Sequence, residues 1–365
     1  MLRRFLLSLF LFVFVAVPAS AEDWPAFRLD PAHRAWDGAG DIAATPKLDW
    51  QFDTGGIVES SPAVVDGVVY VGSFAQALFA IDGATGEEKW RFPVGGLLRA
   101  SPAVVAGTVY FGADDNKFYA VDAATGAAKW TFELGPGGQQ SSPAVVDDVV
   151  YFGAFDKYVY ALNAGTGSLR WKFRVGGGVL ASPAVLDGVV YISSIGGILY
   201  AIDAATGTRI WQMRARGGIF SSPAVAEGIV VVGSDDGNIY ARDALTGDKL
   251  WTVRVGREVF SSPAIVGGTV YVGAHTGFLY ALDTASGAER WKTQINGPVF
   301  SSPAVTNEHI YIGSSDGHLY ALRRSDGGVA WRFEAGERVW TSPAVVGGRI
   351  YFGSHTGFVY ALAPQ

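Results

Sequence analysis

Along the chain, apolar positions alternate with polar or small ones in short runs, and no window longer than about ten residues keeps the 3.6-residue spacing of an amphipathic helix. The runs recur. Ser-Pro-Ala followed by Val or Ile begins at Ser61, Ser101, Ser142, Ser182, Ser222, Ser262, Ser302 and Ser342, 40 residues apart with a single step of 41. A second series keeps the same phase: Trp50, Trp90, Trp130, Trp171, Trp211, Trp251, Trp291 and Trp331. Within one unit, Pro62 to Val65 predicts a first strand and Asp66-Gly67 a tight hairpin turn. Val68 to Gly72 carries the β-branched and aromatic residues of a second strand. Leu78 to Asp82 predicts a third, Gly83 to Gly86 a further turn, and Lys89 to Phe92, alternating with period two, a fourth. Four short strands in each forty-residue unit are the signature of a propeller blade.

The two ends of the repeat set the blade count. After Ser342 the last unit runs through three strands and stops at Gln365, without its Trp-bearing fourth strand. Lys47 to Phe52 is a fourth strand without the first three. The expected fold is therefore all-β: an eight-bladed β-propeller of four-stranded antiparallel blades over residues 45–365, its ring closed by an N-terminal strand completing the last blade. Closure removes the open sheet edge at which chains aggregate.

Residues 1–21 read as a secretory signal peptide. Arg3 and Arg4 precede the apolar run Phe5 to Val17, and Pro18-Ala19-Ser20-Ala21 supplies small residues for cleavage. That run is too short to span about 30 Å of hydrocarbon. Residues 22–44 are then an extended leader. Every later apolar run is interrupted by Gly, Pro or charge, so no transmembrane span is expected in the mature chain, which is read as a periplasmic or secreted monomer.

Composition narrows the function. Charged residues are 17% and hydrophobic residues 49%, which excludes disorder and coiled coil. A net charge of −6 argues against nucleic acid. With no Cys there is no disulfide, thiolate metal site, cysteine nucleophile or lipidated cysteine. The eight Trp are read as structural docking residues between blades, because a residue present in every unit serves the scaffold. Asp114-Asp115-Asn116, Asp235-Asp236-Gly237 and Ser315-Asp316-Gly317 lack the alternate acidic spacing and late Glu of a calcium loop and read as turns. His275 and His355 are equivalent positions two blades apart; the blade between offers Ser315, so no metal site is expected. No catalytic triad, phosphate-cradling loop or dinucleotide fingerprint is present, and no catalytic residue is assigned.

Ala-x-Asp-x-x-Thr-Gly-x-x-x-Trp is complete at Ala80 to Trp90, Ala120 to Trp130, Ala201 to Trp211 and Ala241 to Trp251. Asn163 and Ser286 each replace one element, and Ala321 to Trp331 keeps only its Ala, Gly and Trp. This pattern resembles the tryptophan-docking motif of the quinoprotein (PQQ-like) repeat family, and Trp24-Pro25-Ala26-Phe27-Arg28 resembles the leader of many members. The resemblance implies eight blades. It also implies one of two functional classes: dehydrogenases holding pyrroloquinoline quinone and calcium, or cofactor-free scaffolds such as BamB of the outer-membrane barrel-assembly machinery. The dehydrogenases' adjacent Cys pair and long insertions are missing here, and so is the Cys of a lipid anchor.

The residue two before each Ser-Pro-Ala forms a ring around one channel mouth: Glu59, Arg99, Gln140, Leu180, Phe220, Phe260, Phe300 and Trp340. Three blades contribute polar residues and four a contiguous aromatic arc. The arc either plugs the channel or makes a partner-binding mouth. The expected function is a non-catalytic exported scaffold binding an envelope protein or peptide, as in outer-membrane protein assembly, without a cofactor. The alternatives are a pyrroloquinoline-quinone-binding dehydrogenase or sensor, and a carbohydrate-binding or carbohydrate-cleaving propeller.

Overall fold

Eight Trp in register need eight neighbours to lie against, and the fold supplies them by wrapping the repeat into a ring. A computed structural model describes residues 23–30, 32–33, 41–42 and 44–365; the signal-peptide reading of residues 1–21 lies outside them. The strands among the described residues form eight four-stranded antiparallel sheets. Blade 1 consists of Ala63–Val65, Val68–Ser73, Ala77–Asp82 and Glu88–Pro93. The last blade consists of Ala344–Val346, Arg349–Gly353, Phe358–Ala363 and, from the other end of the chain, Lys47–Asp53. Lys47 pairs with Ala363 and Asp53 with Phe358, so the N-terminal strand closes the ring.

One row of side chains explains the repeat. In blade 1, Ala63, Tyr70, Ala80 and Trp90 stand opposite one another across the four strands. Because Ala80 is small, the Tyr70 and Trp90 rings meet over it, centroids 5.8 Å apart. Each Trp then reaches the next blade. Trp50 donates its indole N–H to the Gly83 carbonyl at 3.0 Å, and Trp90 to that of Ala123 at 3.0 Å. The indole also lies on the glycine of that blade's turn: a Cβ on Gly86 would sit 2.8 Å from the Trp50 ring, and its φ is +76°. Only glycine meets both demands.

The Ser-Pro-Ala serines form a second ring, around the channel. The Ser61 N–H donates to the Ser101 hydroxyl, Ser101 to Ser142, and so on to Ser342, whose N–H returns to Ser61; all eight bonds are 2.8–3.0 Å. Each serine thus satisfies a buried backbone donor of its neighbour, which unpaired would be costly.

The described leader residues occupy the hairpin end of the channel. Trp24 bridges Val64 through bonds of 2.6 and 2.7 Å, and the Pro25 carbonyl accepts from Val104. Across the ring, the Ala32 carbonyl accepts from Val225, and His33 Nδ1 lies 3.0 Å from the Pro223 carbonyl. The innermost strands of blades 1, 2 and 5 therefore have their free edges met by the leader. No helix among the described residues is long and apolar enough to cross a membrane.

Candidate binding mouth

The connection into each first strand and the loop between the second and third strands emerge on the face away from the leader. This places the eight ring residues around one mouth, each half-buried. They line, with the serine ring and Phe27, a chamber of about 180 Å³ in which the leader's Phe27 is the far wall.

The aromatic arc is continuous. Phe220 meets Phe260 edge-on with centroids 4.9 Å apart, Phe260 stacks on Phe300 at 5.5 Å, and Phe300 stacks on Trp340 at 4.1 Å. The polar side is an ionic chain. Arg99 donates to Glu59 at 2.8 Å and to Asp114 at 3.3 Å, and its guanidinium lies 4.4 Å over the Phe74 ring. Gln140 is 3.5 Å from Asp114, and Leu180 stands between the two sides. The arc therefore borders the channel without filling it; what occupies the other end is the leader.

Residues beyond the eight join the mouth. His275 packs against Phe260 and Phe300, centroids 4.5 and 4.2 Å away. His355 packs against Trp340 at 4.5 Å, with Nε2 3.6 Å from Glu59. Burial holds both imidazoles below the usual histidine range, the carboxylates of Glu258 and Glu59 opposing it only in part. Both are neutral at pH 7. Asp235 is pushed up to about 6, first by burial and then by Glu258 and Asp236. Ser315 takes the third equivalent position and accepts the Trp340 indole N–H at 3.0 Å. Around the arc, Asp235 Oδ1, Glu258 Oε2, His275 Nε2, Thr276 Oγ1 and His355 Nε2 are buried with no hydrogen-bond partner.

The acidic loops serve the fold. Asp115 accepts the Gly95 N–H and the Tyr119 hydroxyl, and Asp236 accepts the Arg216 N–H and the Tyr240 hydroxyl. No group of three or more His, Asp or Glu among the described residues is placed to hold a metal ion.

Residues 40–172 match the family described as outer membrane protein assembly factor BamB, and residues 190–365 that of the beta-alanine-activating enzyme β-propeller. BamB from Moraxella catarrhalis superposes with a TM-score of 0.76 at 20% identity, over 87% of this chain and 100% of its own. Each family model covers less than half of the chain, and between them they support a likeness to the PQQ-like repeat propellers. A europium-containing methanol dehydrogenase also superposes, with TM-score 0.82 at 14% identity over 94% and 98% of the two chains. So does the quinohemoprotein alcohol dehydrogenase from Comamonas testosteroni, with TM-score 0.80 at 17% identity over 96% and 83%. No curated protein matches the sequence. Identities this low establish a shared propeller fold alone, one that carries both an assembly factor and dehydrogenases.

Within the PQQ-like repeat, motif reasoning separated the ring residues from the scaffold, but not His275, Thr276 or Glu258. The available signal was the loop between strands two and three, which shares a face with the ring. His275 and His355 stood there in phase, two units apart.

Proposed function

We propose that this propeller is a non-catalytic scaffold of the cell envelope that grips an extended protein segment at its half-aromatic mouth. The observation that carries this reading is the set of five buried polar atoms around the aromatic arc that make no hydrogen bond, two of them, Glu258 Oε2 and His355 Nε2, having only long ionic contacts of 3.6–3.8 Å. Native proteins rarely leave such atoms unpaired, and a peptide backbone brings both the donors and the acceptors they need. Stacked aromatics beside an Arg are the composition of an interaction hot spot. The BamB family match over residues 40–172 supports placing the partner in outer-membrane protein assembly.

Support for a reading without a quinone comes from the fit. The chamber of about 180 Å³ is walled by serines and backed by Phe27, below the ~300 Å³ at which ligand sites begin. Glu59, the one carboxylate among the described residues that line it, is engaged with Arg99 at 2.8 Å. These residues do not fit a tricyclic quinone with its metal.

The test is capture of envelope proteins by the purified chain, identified after crosslinking. Phe260→Ala combined with Trp340→Ala should leave the circular dichroism spectrum unchanged and lower capture of the wild-type partner at least about tenfold, the loss of one or two hot-spot residues. Undiminished capture by the double variant would remove the mouth from consideration.

A further inference from the structure

Repetition of one unit gives each position six or seven internal comparisons, and blade 7 departs from them twice on the face opposite the mouth. The first departure is in the turn before the Trp. Where other blades carry Gly83, Ala123, Ala164, Ala204, Ala244 or Thr284, blade 7 has Arg324. At all of these but Thr284, whose preceding blade has Val231, a Tyr hydroxyl of the preceding blade donates to that residue's carbonyl, as Tyr151 does to Ala204 at 3.2 Å and Tyr191 to Ala244 at 3.0 Å. Here the Tyr271 hydroxyl instead accepts from Arg324 Nε at 3.1 Å. The Trp291 indole bond to the Arg324 carbonyl is 3.3 Å, the longest of the eight. The second departure is the first hairpin, where the left-handed pairs of the other blades, such as Gly267-Gly268, give way to Asn307-Glu308 and the first strand shrinks to Ala304–Val305.

Both departures line one cavity. It lies between blades 6 and 7, measures about 660 Å³, and is bounded by Trp291, Tyr271, Arg290, Glu308 and Arg324 among others. Its size falls within the ~300–1,000 Å³ of small-molecule sites. Asp41 of the leader fixes its wall by accepting the Glu308 N–H at 3.1 Å and meeting His309 Nδ1 at 3.2 Å. Arg290 and Arg323 have carboxylates of their own, Asp283 and Asp326. Among the described residues, Arg324 bonds only neutral oxygens: the Tyr271 hydroxyl and, at 3.4 Å, the carbonyls of Asn307 and Val266.

We propose that this cavity binds a small organic anion, a carboxylate or a phosphate ester, with Arg324 as its charge partner and Trp291 and Tyr271 as its apolar wall. A guanidinium fork matches two oxygens of either group, and the 3.4 Å bonds that its two terminal nitrogens now make to carbonyls are the ones an oxyanion would displace. The site is separate from the mouth, and neither proposal depends on the other.

Calorimetric titration of the full chain at fixed ionic strength tests it, with benzoate, phenyl phosphate and uncharged benzyl alcohol as probes. The wild-type protein should bind at least one of the two anions, and whichever it prefers names the group. Arg324→Ala installs the residue that four other blades carry and should fold normally; its affinity should fall at least about tenfold, as for a lost charge-assisted bond. The Phe260→Ala, Trp340→Ala double variant should bind as the wild type does. Failure of both anions to bind, equal binding by Arg324→Ala, or equal affinity for benzyl alcohol would each overturn the proposal.

Discussion

The backbone carbonyl of Ile42 accepts the indole N–H of Trp331 at 2.9 Å. In the other blades that carbonyl comes from the turn of the next blade, but the last blade stops at Gln365 before it has such a turn. Ile42 takes its place, and its own N–H donates to the Tyr311 hydroxyl at 2.8 Å. The leader thus repairs the one docking position that the repeat leaves open. A chain lacking residues 1–42 but keeping Lys47–Asp53 should lose at least about 3 kcal/mol, since buried Ile42 and its two hydrogen bonds go together with the leader's bonds to blades 1, 2 and 5. Urea denaturation would show it as a lower midpoint, and an unchanged midpoint would refute the repair.

The serine ring predicts a cost out of proportion to the atom removed. Ser222→Ala deletes one hydroxyl and leaves the Ser182 N–H buried without its 2.8 Å acceptor. The expected loss is about 1–3 kcal/mol. The exposed Ser168, whose hydroxyl bonds only Thr166, is the control, and its replacement by Ala should change stability little. Equal effects of the two changes in chemical denaturation would mean the ring carries no weight.

Asp235 predicts a pH dependence at the mouth. Its carboxyl is raised to about 6 by burial and by Glu258. The folded chain therefore holds this proton more tightly than the unfolded chain, and stability falls as pH rises from about 4 to 6. Asp235→Asn should be the more stable protein at pH 7.5, on the order of 1 kcal/mol after allowing for solvent screening. The gain should shrink at pH 4.5. Paired denaturation curves at the two pH values give the answer, and a gain that persists at pH 4.5 would contradict it.

His33 predicts acid sensitivity of the leader. Burial, and then the charge of Arg28, hold its pKa down at about 3. The unfolded leader takes up a proton near the ordinary histidine value and the seated one does not, so seating weakens as pH falls from about 6.5 towards 3. The amide protection factors of Trp24 and of its partner Val64 should fall through that range relative to those of the blade cores. Replacing His33 by Phe should abolish the difference, and protection factors that do not change with pH in the natural protein would refute the acid sensitivity.

The fold was legible because two residue series share one phase, and because the Trp-bearing strand missing at one end is present at the other. The ring at the mouth was legible for the same reason: against a background of constant Ser, Pro and Ala, a position that changes from Glu59 to Phe260 stands out. The leader's seat was not. Nothing in Trp24 to Asp30 has strand periodicity, and its bonds go to inner edges that exist only once blades 1, 2 and 5 are in place. The histidines are visible in the sequence as an equivalent pair, read there as making no metal site; that they stack on Phe300 and Trp340 depends on rings meeting across blade boundaries. Blade 7 showed its broken motif in Arg323 and Arg324, while the cavity the break opens needed the neighbouring hairpin to be seen.

Because Lys47–Asp53 pairs with Phe358–Ala363, the first strand of the ring in chain order finds its partner in the last. Until the two meet, both present unjoined β-edges, which are templates for pairing with another copy. One antiparallel seam, made between strands about three hundred residues apart in sequence, therefore decides whether the circle is sealed.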